Sequence, residues 1–426
     1  MKNIDFLSSL FVGIDVSSKT NVVCAIDFKG TKHLQFSVSN NQPGALTLAN
    51  NICDFLAKNT FSYLIFALES TSFYSTHIAS FLSSSELLMP FKPYVYCLNP
   101  KMIANYRKSF IDLDKTDPLD AFIIADFARV GRITTEPWRG SQFLALQRLT
   151  RHRLHLVESL IREKTYMVSN IFLKFSEISV ADDSQQPFSN TYGATASAVL
   201  TELLSIDDIV SMSLAELVAF ICEKGHNRFA DPEKTATLLQ QAAKNSYRLD
   251  KCLYEPLTVS IASSFNCISA FETEIKVIDK VIIKAIKGLN TNEYQCLLSI
   301  PGIGPVYAAG ILSEMGTVSA FSSHDALAKY AGIVWQQNQS GNFKAEDTRL
   351  SKVGNSYLRY YLIEATNSVK NHAPEYKDFY YKKYNEVKTH QHKRALALTS
   401  RKFIRLIFGL LDNNQLYSPA KVEQAI

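Results

Sequence analysis

The sequence has little of several features, and each shortage excludes a class of protein. Its 426 residues hold no run of about 18 apolar residues, so no membrane-spanning helix is expected. The seven cysteines are scattered and never form a CxxC pair, which excludes both a disulfide framework and a thiolate zinc site. Asp5 stands where a signal peptide would carry basic residues, so we expect a soluble, cytoplasmic protein.

What is present is typical of a globular protein. Hydrophobic residues make up 46% and charged residues 20% of the chain, so disorder is not expected. The length allows two or three domains. The net charge is +5, and positions 331–412 carry 14 Lys or Arg against 7 Asp or Glu.

Seven tyrosines between Tyr357 and Tyr384 are threaded through this basic region. Basic side chains interleaved with aromatic ones favour nucleic-acid binding with base stacking. A solvated helical face with ordinary core tyrosines would give the same pattern, and the sequence leaves both readings open.

The first domain, residues 1–138, is predicted to be α/β. Short β-rich runs at 11–16, 21–28 and 32–38 predict three successive strands, and further strands are expected at 63–68 and 94–98. Helices are expected at 43–56, 73–82 and 118–130. Three strands followed by alternating helix and strand is the order of a ribonuclease H-like domain.

The middle region, residues 139–290, is predicted to be helical. Apolar residues recur at helical spacing over 141–175, and a second stretch has the heptad seam of a coiled coil. The seam consists of Ile268, Phe271, Ile275, Ile278, Ile282 and Ala285. The two helices are expected to pack as a long hairpin or across subunits, with a helical insertion at about 176–260.

The third domain, residues 291–426, is predicted to be mainly helical. It begins with an apolar helix, a Gly302-Ile303-Gly304 turn and a second helix with small residues, the pattern of a helix-hairpin-helix element. In such an element glycines let backbone N–H groups approach a DNA phosphate. A plain tight turn between two packed helices is the alternative.

Four carboxylates are the strongest candidates for chemistry. Asp15 ends the first predicted strand, Glu69 ends the fourth, and Asp117 and Asp120 begin a helix. Strand ends of one sheet edge bring such side chains together, and oxygen ligands suit hard cations, so two Mg²⁺ ions roughly 4 Å apart are expected. Taken singly, each carboxylate could instead cap a helix or end a strand. Asp112 and Asp114 lie nearby and could replace one member.

A second candidate group follows the glycine turn. Ser340 and Gly341 lie in a polar loop, followed by Arg349, Lys352 and a helix that carries Arg359. A serine nucleophile must be activated, and the phosphate that it attacks must be held in place. These cations could bind that phosphate. A loop serine without a chemical role is the competing interpretation.

Two other motifs resemble known sites but do not predict a function here. His390 and His392 have no evident partner ligand, so a metal site is not predicted there. The GIDVSSKT run is similar to the first phosphate loop of actin-like sugar kinases, but these need an Asp-x-Gly turn that the sequence does not contain.

Together the motifs identify a family resemblance. GIDVSSKT, ALEST, KTDPLDA, SIPGIGPVYAAGILSEMG and LSKVGNSYLRYYLIEA, in this order, resemble the DEDD transposases of a large bacterial insertion-sequence family, relatives of the Piv-type DNA invertases. The resemblance covers roughly 11–135 and 293–370. It implies a ribonuclease H-like (RuvC-like) domain whose DEDD quartet falls on Asp15, Glu69, Asp117 and Asp120.

The same resemblance implies an RNA-guided DNA recombinase associated with the bacterial nucleoid. Ser340 would be the nucleophile that attacks a DNA phosphate, with Gly302, Gly304, Arg349, Lys352 and Arg359 holding nucleic acid. The implied partners are donor and target DNA, a structured noncoding bridge RNA, and further copies of the chain in a dimer or tetramer. The coiled-coil seam would serve assembly, and one protomer's serine would meet another's carboxylates.

The sequence departs from the family pattern in the serine loop, where Trp335, Gln336 and Gln339 stand in place of a proline and a second serine. Ser351 is therefore the alternative nucleophile. Two other functions stay open: a metal-dependent nuclease or Holliday-junction resolvase that uses water, and a non-catalytic nucleic-acid-binding assembly factor.

Overall fold

The computed structural model describes residues 4–70, 73–110, 116–131, 133, 137–180, 186–203, 205–289, 291–335, 339–340, 343–344 and 349–419. The chain forms two compact units. The first unit joins Met1–Arg148 with Ala285–Ile426, and the second is Leu149–Lys284. The predicted domains 1–138 and 291–426 therefore lie in one unit, and most of the predicted middle region forms the other.

A five-stranded sheet lies in the N-terminal part of the first unit, in the order β3-β2-β1-β4-β5. Its strands are β1 (Ser9–Val16), β2 (Thr20–Ile26), β3 (Lys32–Ser39), β4 (Tyr63–Glu69) and β5 (Pro93–Leu98). Strand β1 pairs antiparallel with β2 and parallel with β4. The five predicted strands are confirmed.

Helices cover both faces of this sheet. They are α1 (Gln42–Leu56), α2 (Tyr74–Ser84), α3 (Pro100–Arg107) and α4 (Asp117–Arg129). Leu10, Val12 and Ile14 of β1 belong to the apolar cluster that includes α1 and α2, whereas Phe11 belongs to the cluster that includes α3 and α4. Because β1 is covered on both faces, its residues form a nearly continuous apolar run, and Asp15 is its one acidic residue.

The second unit is built on two long helices, α5 (Ser141–Lys174) and α11 (Lys251–Leu289). Ion pairs Arg153–Asp279 and Lys164–Glu272 fix them antiparallel to each other. Ile268 and Ile282 of the predicted seam are buried, and its other four residues are partly buried. The ion pairs confirm the hairpin interpretation.

Five short helices fill the predicted insertion and pack on the hairpin. They are α6 (Ser176–Val180), α7 (Ala194–Glu202), α8 (Ile206–Ser211), α9 (Leu214–Lys224) and α10 (Pro232–Asn245). Lys174 is fully buried where α5 meets them. Its Nζ donates to the carbonyl oxygens of Leu200 and Leu203 and to Thr258 Oγ1 at 2.7–2.8 Å. Burial lowers the pKa of this ammonium to about 8, so Lys174 joins three segments of the unit at a considerable desolvation cost.

The C-terminal part of the first unit is mainly helical, as predicted. It contains α12 (Asn292–Leu298), α13 (Pro305–Met315), α14 (His324–Ala331), the short strands β6 (Gln339–Ser340) and β7 (Phe343–Lys344), α15 (Ser356–His372), α16 (Pro374–Asn385) and α17 (Gln391–Asp412). Among the helices of the described ranges, none is both long and apolar enough to cross a membrane.

The tyrosines of the basic region divide between core and surface. Tyr361, Tyr376 and Tyr380 are buried, and Lys370 and Lys402 lie over the rings of Tyr380 and Tyr376 at 4.1 and 5.1 Å. These three rings are core side chains and cannot stack on bases. For these three tyrosines, the interpretation as ordinary core residues is therefore confirmed.

Candidate active site

Asp15 and Glu69 lie next to each other at the C-terminal ends of two parallel strands. Ile14 of β1 is in register with Leu68 of β4, so the following pair is Asp15 and Glu69, on strands about 4.8 Å apart. Because side chains alternate along a strand, both project on the face of Phe11 and Ile65, which α4 covers. The predicted pairing of these two carboxylates at one sheet edge is thus present.

Helix α4 reaches the same edge because Gly13 lets it approach β1. A Cβ atom at Gly13 would lie 2.2 Å from the carbonyl oxygen of Ala121 and 2.3 Å from the nitrogen of Ala125, so a side chain there would separate helix and strand. Gly131, just after α4, lies beside Phe6, just before β1. The helix therefore runs antiparallel to β1, and its first turn is at the end of the strand that carries Asp15.

That first turn contains Asp117, which is exposed, and Asp120, which is partly buried. Asp120 forms an ion pair with Arg107 of α3. Among the described residues, no three carboxylate, histidine or cysteine side chains stand close enough to form a ready-made metal site. The structure thus gathers the four carboxylates at one edge without assembling them around a common point, and Asp112 and Asp114 fall outside the described residues.

Arg107 is the residue at this edge that sequence reasoning missed. Its helix α3 begins with Asn99 as N-cap and Pro100 in the first turn, a start signal that could have predicted the helix. The sequence does not indicate which carboxylate forms an ion pair with this arginine. Nearby, the buried Asp126 accepts hydrogen bonds from Tyr106 Oη (2.6 Å) and Arg129 Nε (2.7 Å), so this fifth carboxylate is engaged in the core.

Ser340 lies in β6, on an excursion of the chain between α14 and α15. Its backbone pairs with Phe343, and its side chain is outside the described residues. The two arms of the excursion are tied at the base. Trp335 forms a bridge with Leu350, and the Ser351 nitrogen donates to the Val334 oxygen at 2.8 Å. Ser351, the alternative nucleophile, therefore lies at the base of the loop.

Asn355 connects this base to the helices around it. Its nitrogen donates to the Tyr330 oxygen at 2.7 Å, its Oδ1 caps the first turn of α15, and its Nδ2 donates to the buried carboxylate of Glu314 at 2.9 Å. A Cβ atom at Gly354 would lie 2.3 Å from that same Tyr330 oxygen. The close approach explains the Gly-Asn pair in the sequence.

The three predicted phosphate-binding cations lie in different environments. Arg349 and Lys352 are exposed at the end of the loop. Arg359 is partly buried, and its Nη1 donates to the carbonyl oxygens of Ala331 (3.1 Å) and Lys352 (3.0 Å). Burial lowers the pKa of its guanidinium. Arg359 thus joins the chain before the loop to the chain after it.

This difference predicts opposite results for two variants. Arg359→Ala leaves the Ala331 and Lys352 oxygens without this donor, so we expect a lower melting temperature and a loss of about 1–3 kcal/mol in the free energy of unfolding. Arg349→Ala should leave melting unchanged and should lower the slope of log affinity against log salt by about one. Thermal melting and salt-dependent DNA binding separate the two. Equal melting temperatures for the two variants would contradict the role of Arg359 in joining the two ends of the loop.

The two glycines of the predicted helix-hairpin-helix differ in their surroundings. Gly302 has a φ of +91°, and a Cβ atom there would lie 3.0 Å from Ser368 and His372 of α15; its oxygen accepts from Ser368 Oγ at 2.7 Å. Gly304 is the N-cap of α13, and a Cβ atom there would meet nothing within 4 Å. Gly302 is thus needed for packing, whereas nothing within 4 Å of a Cβ atom requires a glycine at Gly304.

In comparison with known proteins, two family models match separate segments of the chain. Residues 12–173 match the DEDD family model of the IS110 type, described as "Transposase". Residues 294–381 match the model described as "Transposase IS116/IS110/IS902 family". The matched segments include the carboxylate edge and the serine loop.

Two curated proteins are similar to the chain. An "Insertion element IS116 uncharacterized 44.8 kDa protein" of Streptomyces clavuligerus is 21% identical over 412 residues, which cover 96% of each chain. A "Transposase for insertion sequence element IS1111A" of Coxiella burnetii is 29% identical over 153 residues, covering 32% of this chain and 41% of the relative. The first similarity extends through the second unit as well.

Proposed function

Because the chain belongs to the IS116/IS110/IS902 family of transposases, we propose that it moves its insertion sequence by an RNA-guided, serine-dependent recombination of DNA. The observation that carries the proposal is the shared edge of β1, β4 and α4, which bears Asp15, Glu69, Asp117 and Asp120. The sheet order β3-β2-β1-β4-β5 supports a ribonuclease H-like (RuvC-like) domain.

The donors at this edge suit Mg²⁺ in their chemistry. All four are carboxylates, with adjacent starting points on two strands and one helix turn, and hard divalent cations prefer such oxygen ligands. Asp15, Glu69, Asp117 and Asp120 would hold the metal, and Asp120 would exchange its Arg107 partner for it. When bound, Mg²⁺ would supply positive charge to the scissile phosphate and to the departing oxygen.

Ser340 would act as the nucleophile. Its Oγ forms a bond to phosphorus while a phosphorus–oxygen bond of the DNA backbone breaks, and the departing DNA oxygen receives the proton that the serine loses. The phosphoserine ester retains the energy of the broken link. A new DNA hydroxyl then displaces the serine and completes the joining without ATP.

Binding of nucleic acid would fall to the start of α13 at Gly304 and to the exposed Arg349 and Lys352. Backbone N–H groups at a helix start attract phosphate, and exposed cations add sequence-independent affinity. A structured bridge RNA would pair with donor and target DNA and supply the sequence selection. The chain would act as a dimer or tetramer.

The test is a reconstitution with purified chain, RNA transcribed from the DNA that flanks its gene, donor and target DNA, and Mg²⁺. We expect joined product only when RNA and Mg²⁺ are both present, and its loss with EDTA. Cleaved but unjoined DNA would favour the metal-dependent nuclease or junction resolvase. DNA binding without cleavage under every condition would favour the non-catalytic assembly factor.

A further inference from the structure

A cleft of about 390 Å³ lies between the β1–β2 turn, the start of α1 and the start of α2. It is at the same sheet edge as the carboxylates but on the face that α1 and α2 cover, opposite to the face of Asp15 and Glu69. We infer that it binds one unpaired base of the DNA strand that is cut, an inference that rests on the proposed function. Residues of the cleft follow Asp15 and Glu69 closely in the sequence: Ser18 is three positions after Asp15, and Phe73 is four after Glu69.

Two aromatic rings form an unusually exposed wall of this cleft. Phe73 is 60% exposed and Tyr74 is 48% exposed, and both line the cleft. Exposed aromatic side chains in a concave site are the surfaces on which unpaired bases stack. In the core of α2, by contrast, Ile78 and Leu82 are buried, so the helix does not need these rings for packing.

A cation lies against this wall. The guanidinium carbon of Arg148, at the end of the first unit, lies 4.2 Å from the centre of the Phe73 ring. Arginine over a ring is attracted to the ring face and places positive charge beside it. A nucleotide has both the flat base and the phosphate that such a pair would contact, which distinguishes it from an uncharged aromatic ligand.

Polar residues also line this cleft, and Asn40 among them is held by hydrogen bonds. Asn40 Nδ2 donates to the oxygens of Ser17 (2.8 Å) and Tyr74 (3.4 Å), so it joins the turn after Asp15 to the helix after Glu69. Asn21 Nδ2 in turn donates to Asn40 Oδ1 at 3.2 Å. Ser18, Gln42 and His77 line the cleft and are exposed. Amide and hydroxyl groups of this kind can hydrogen-bond to a base edge.

Size and position favour a single base. The volume is near the lower end of small-molecule sites, too small for a duplex but adequate for one extruded nucleotide. An enzyme that works on a duplex often takes a base out of the stack. A base held here would fix the strand at the sheet edge, across from the face on which Asp15 and Glu69 project. This position makes the cut DNA strand, rather than the RNA, the expected occupant.

The test uses the full chain in EDTA and a single-stranded DNA oligonucleotide with one 2-aminopurine, whose fluorescence falls on stacking. We expect quenching with wild type, at least five-fold weaker binding for Phe73→Leu, and restored binding for Phe73→Tyr. Tyr247→Leu is the matched control, because Tyr247 is 82% exposed and lies in the second unit. Thermal melting confirms that each variant is folded.

Equal quenching by wild type and Phe73→Leu would overturn the inference. Tighter, Phe73-dependent binding of an RNA oligonucleotide of the same sequence would overturn the choice of DNA. Asp15→Asn should still quench, since binding in EDTA needs no catalysis. Failure of the proposed function would therefore appear as absent joining with intact quenching, and failure of the present inference as lost Phe73 dependence with intact joining.

Discussion

Asp15→Asn is expected to reduce DNA joining by roughly 10³-fold or more, as the loss of a group that stabilises charge at a phosphate would. Asp15 lies beside Glu69 at the edge where α4 presents Asp117 and Asp120. Asparagine keeps the shape of the side chain but removes the negative charge that a divalent cation needs. The measurement is the rate of joined product in the reconstituted reaction.

The fold should tolerate this change. Asp15 is partly buried at the end of β1, and apolar residues on both sides of it, such as Ile14 and Val16, fix the strand. We therefore expect the melting temperature to stay within a few degrees of wild type. Asp54→Asn is the control, because Asp54 is exposed on α1 in the same part of the unit. Full joining activity in a folded Asp15→Asn protein would refute the metal site.

Ser340→Ala is expected to abolish joining, also by roughly 10³-fold or more, because the covalent intermediate needs the hydroxyl oxygen. Since Ser340 lies on an excursion whose base is tied independently of it, its removal should not unfold the chain. DNA binding should remain at the wild-type level. The measurement compares joined product, cleaved product and bound DNA for the same preparation.

Ser351→Ala is the matched control for this loop. The Ser351 Oγ accepts only a long hydrogen bond from the Val353 nitrogen, at 3.4 Å, among the contacts of its hydroxyl that the structure gives. We expect Ser351→Ala to join DNA normally. If Ser351→Ala were inactive and Ser340→Ala active, the nucleophile would be Ser351. If both cleaved DNA normally, water would be the nucleophile.

The elements around the carboxylates could be predicted from sequence because their signals are local. Short β-rich apolar runs predict the strands that carry Asp15 and Glu69 at their ends, and Pro118 marks the start of α4. The approach of α4 to β1 depends on Gly13, whose role becomes visible only when the facing backbone of Ala121 is known. Strand and helix positions were thus predictable, but their contact was not.

Other features depend on partners that are distant in the sequence. Heptad spacing predicts a seam around Ile275 but cannot tell whether the partner helix comes from the same chain; the Lys164–Glu272 ion pair supplies that answer. Likewise, the sequence predicts Arg359 to be a phosphate ligand, and only the structure shows that its guanidinium donates to backbone carbonyl oxygens. Sequence patterns give residue types and spacing, whereas the acceptor of each donor is a property of the folded chain.

The most direct measurement is mass spectrometry of the chain after reaction with a nicked circle-junction DNA, RNA and Mg²⁺, followed by nuclease digestion. A serine recombinase should carry a nucleotide remnant on the peptide that contains Ser340, and the Ser340→Ala protein should carry none. Joined DNA without an adduct on any residue would contradict a covalent serine mechanism, even if the carboxylates proved essential.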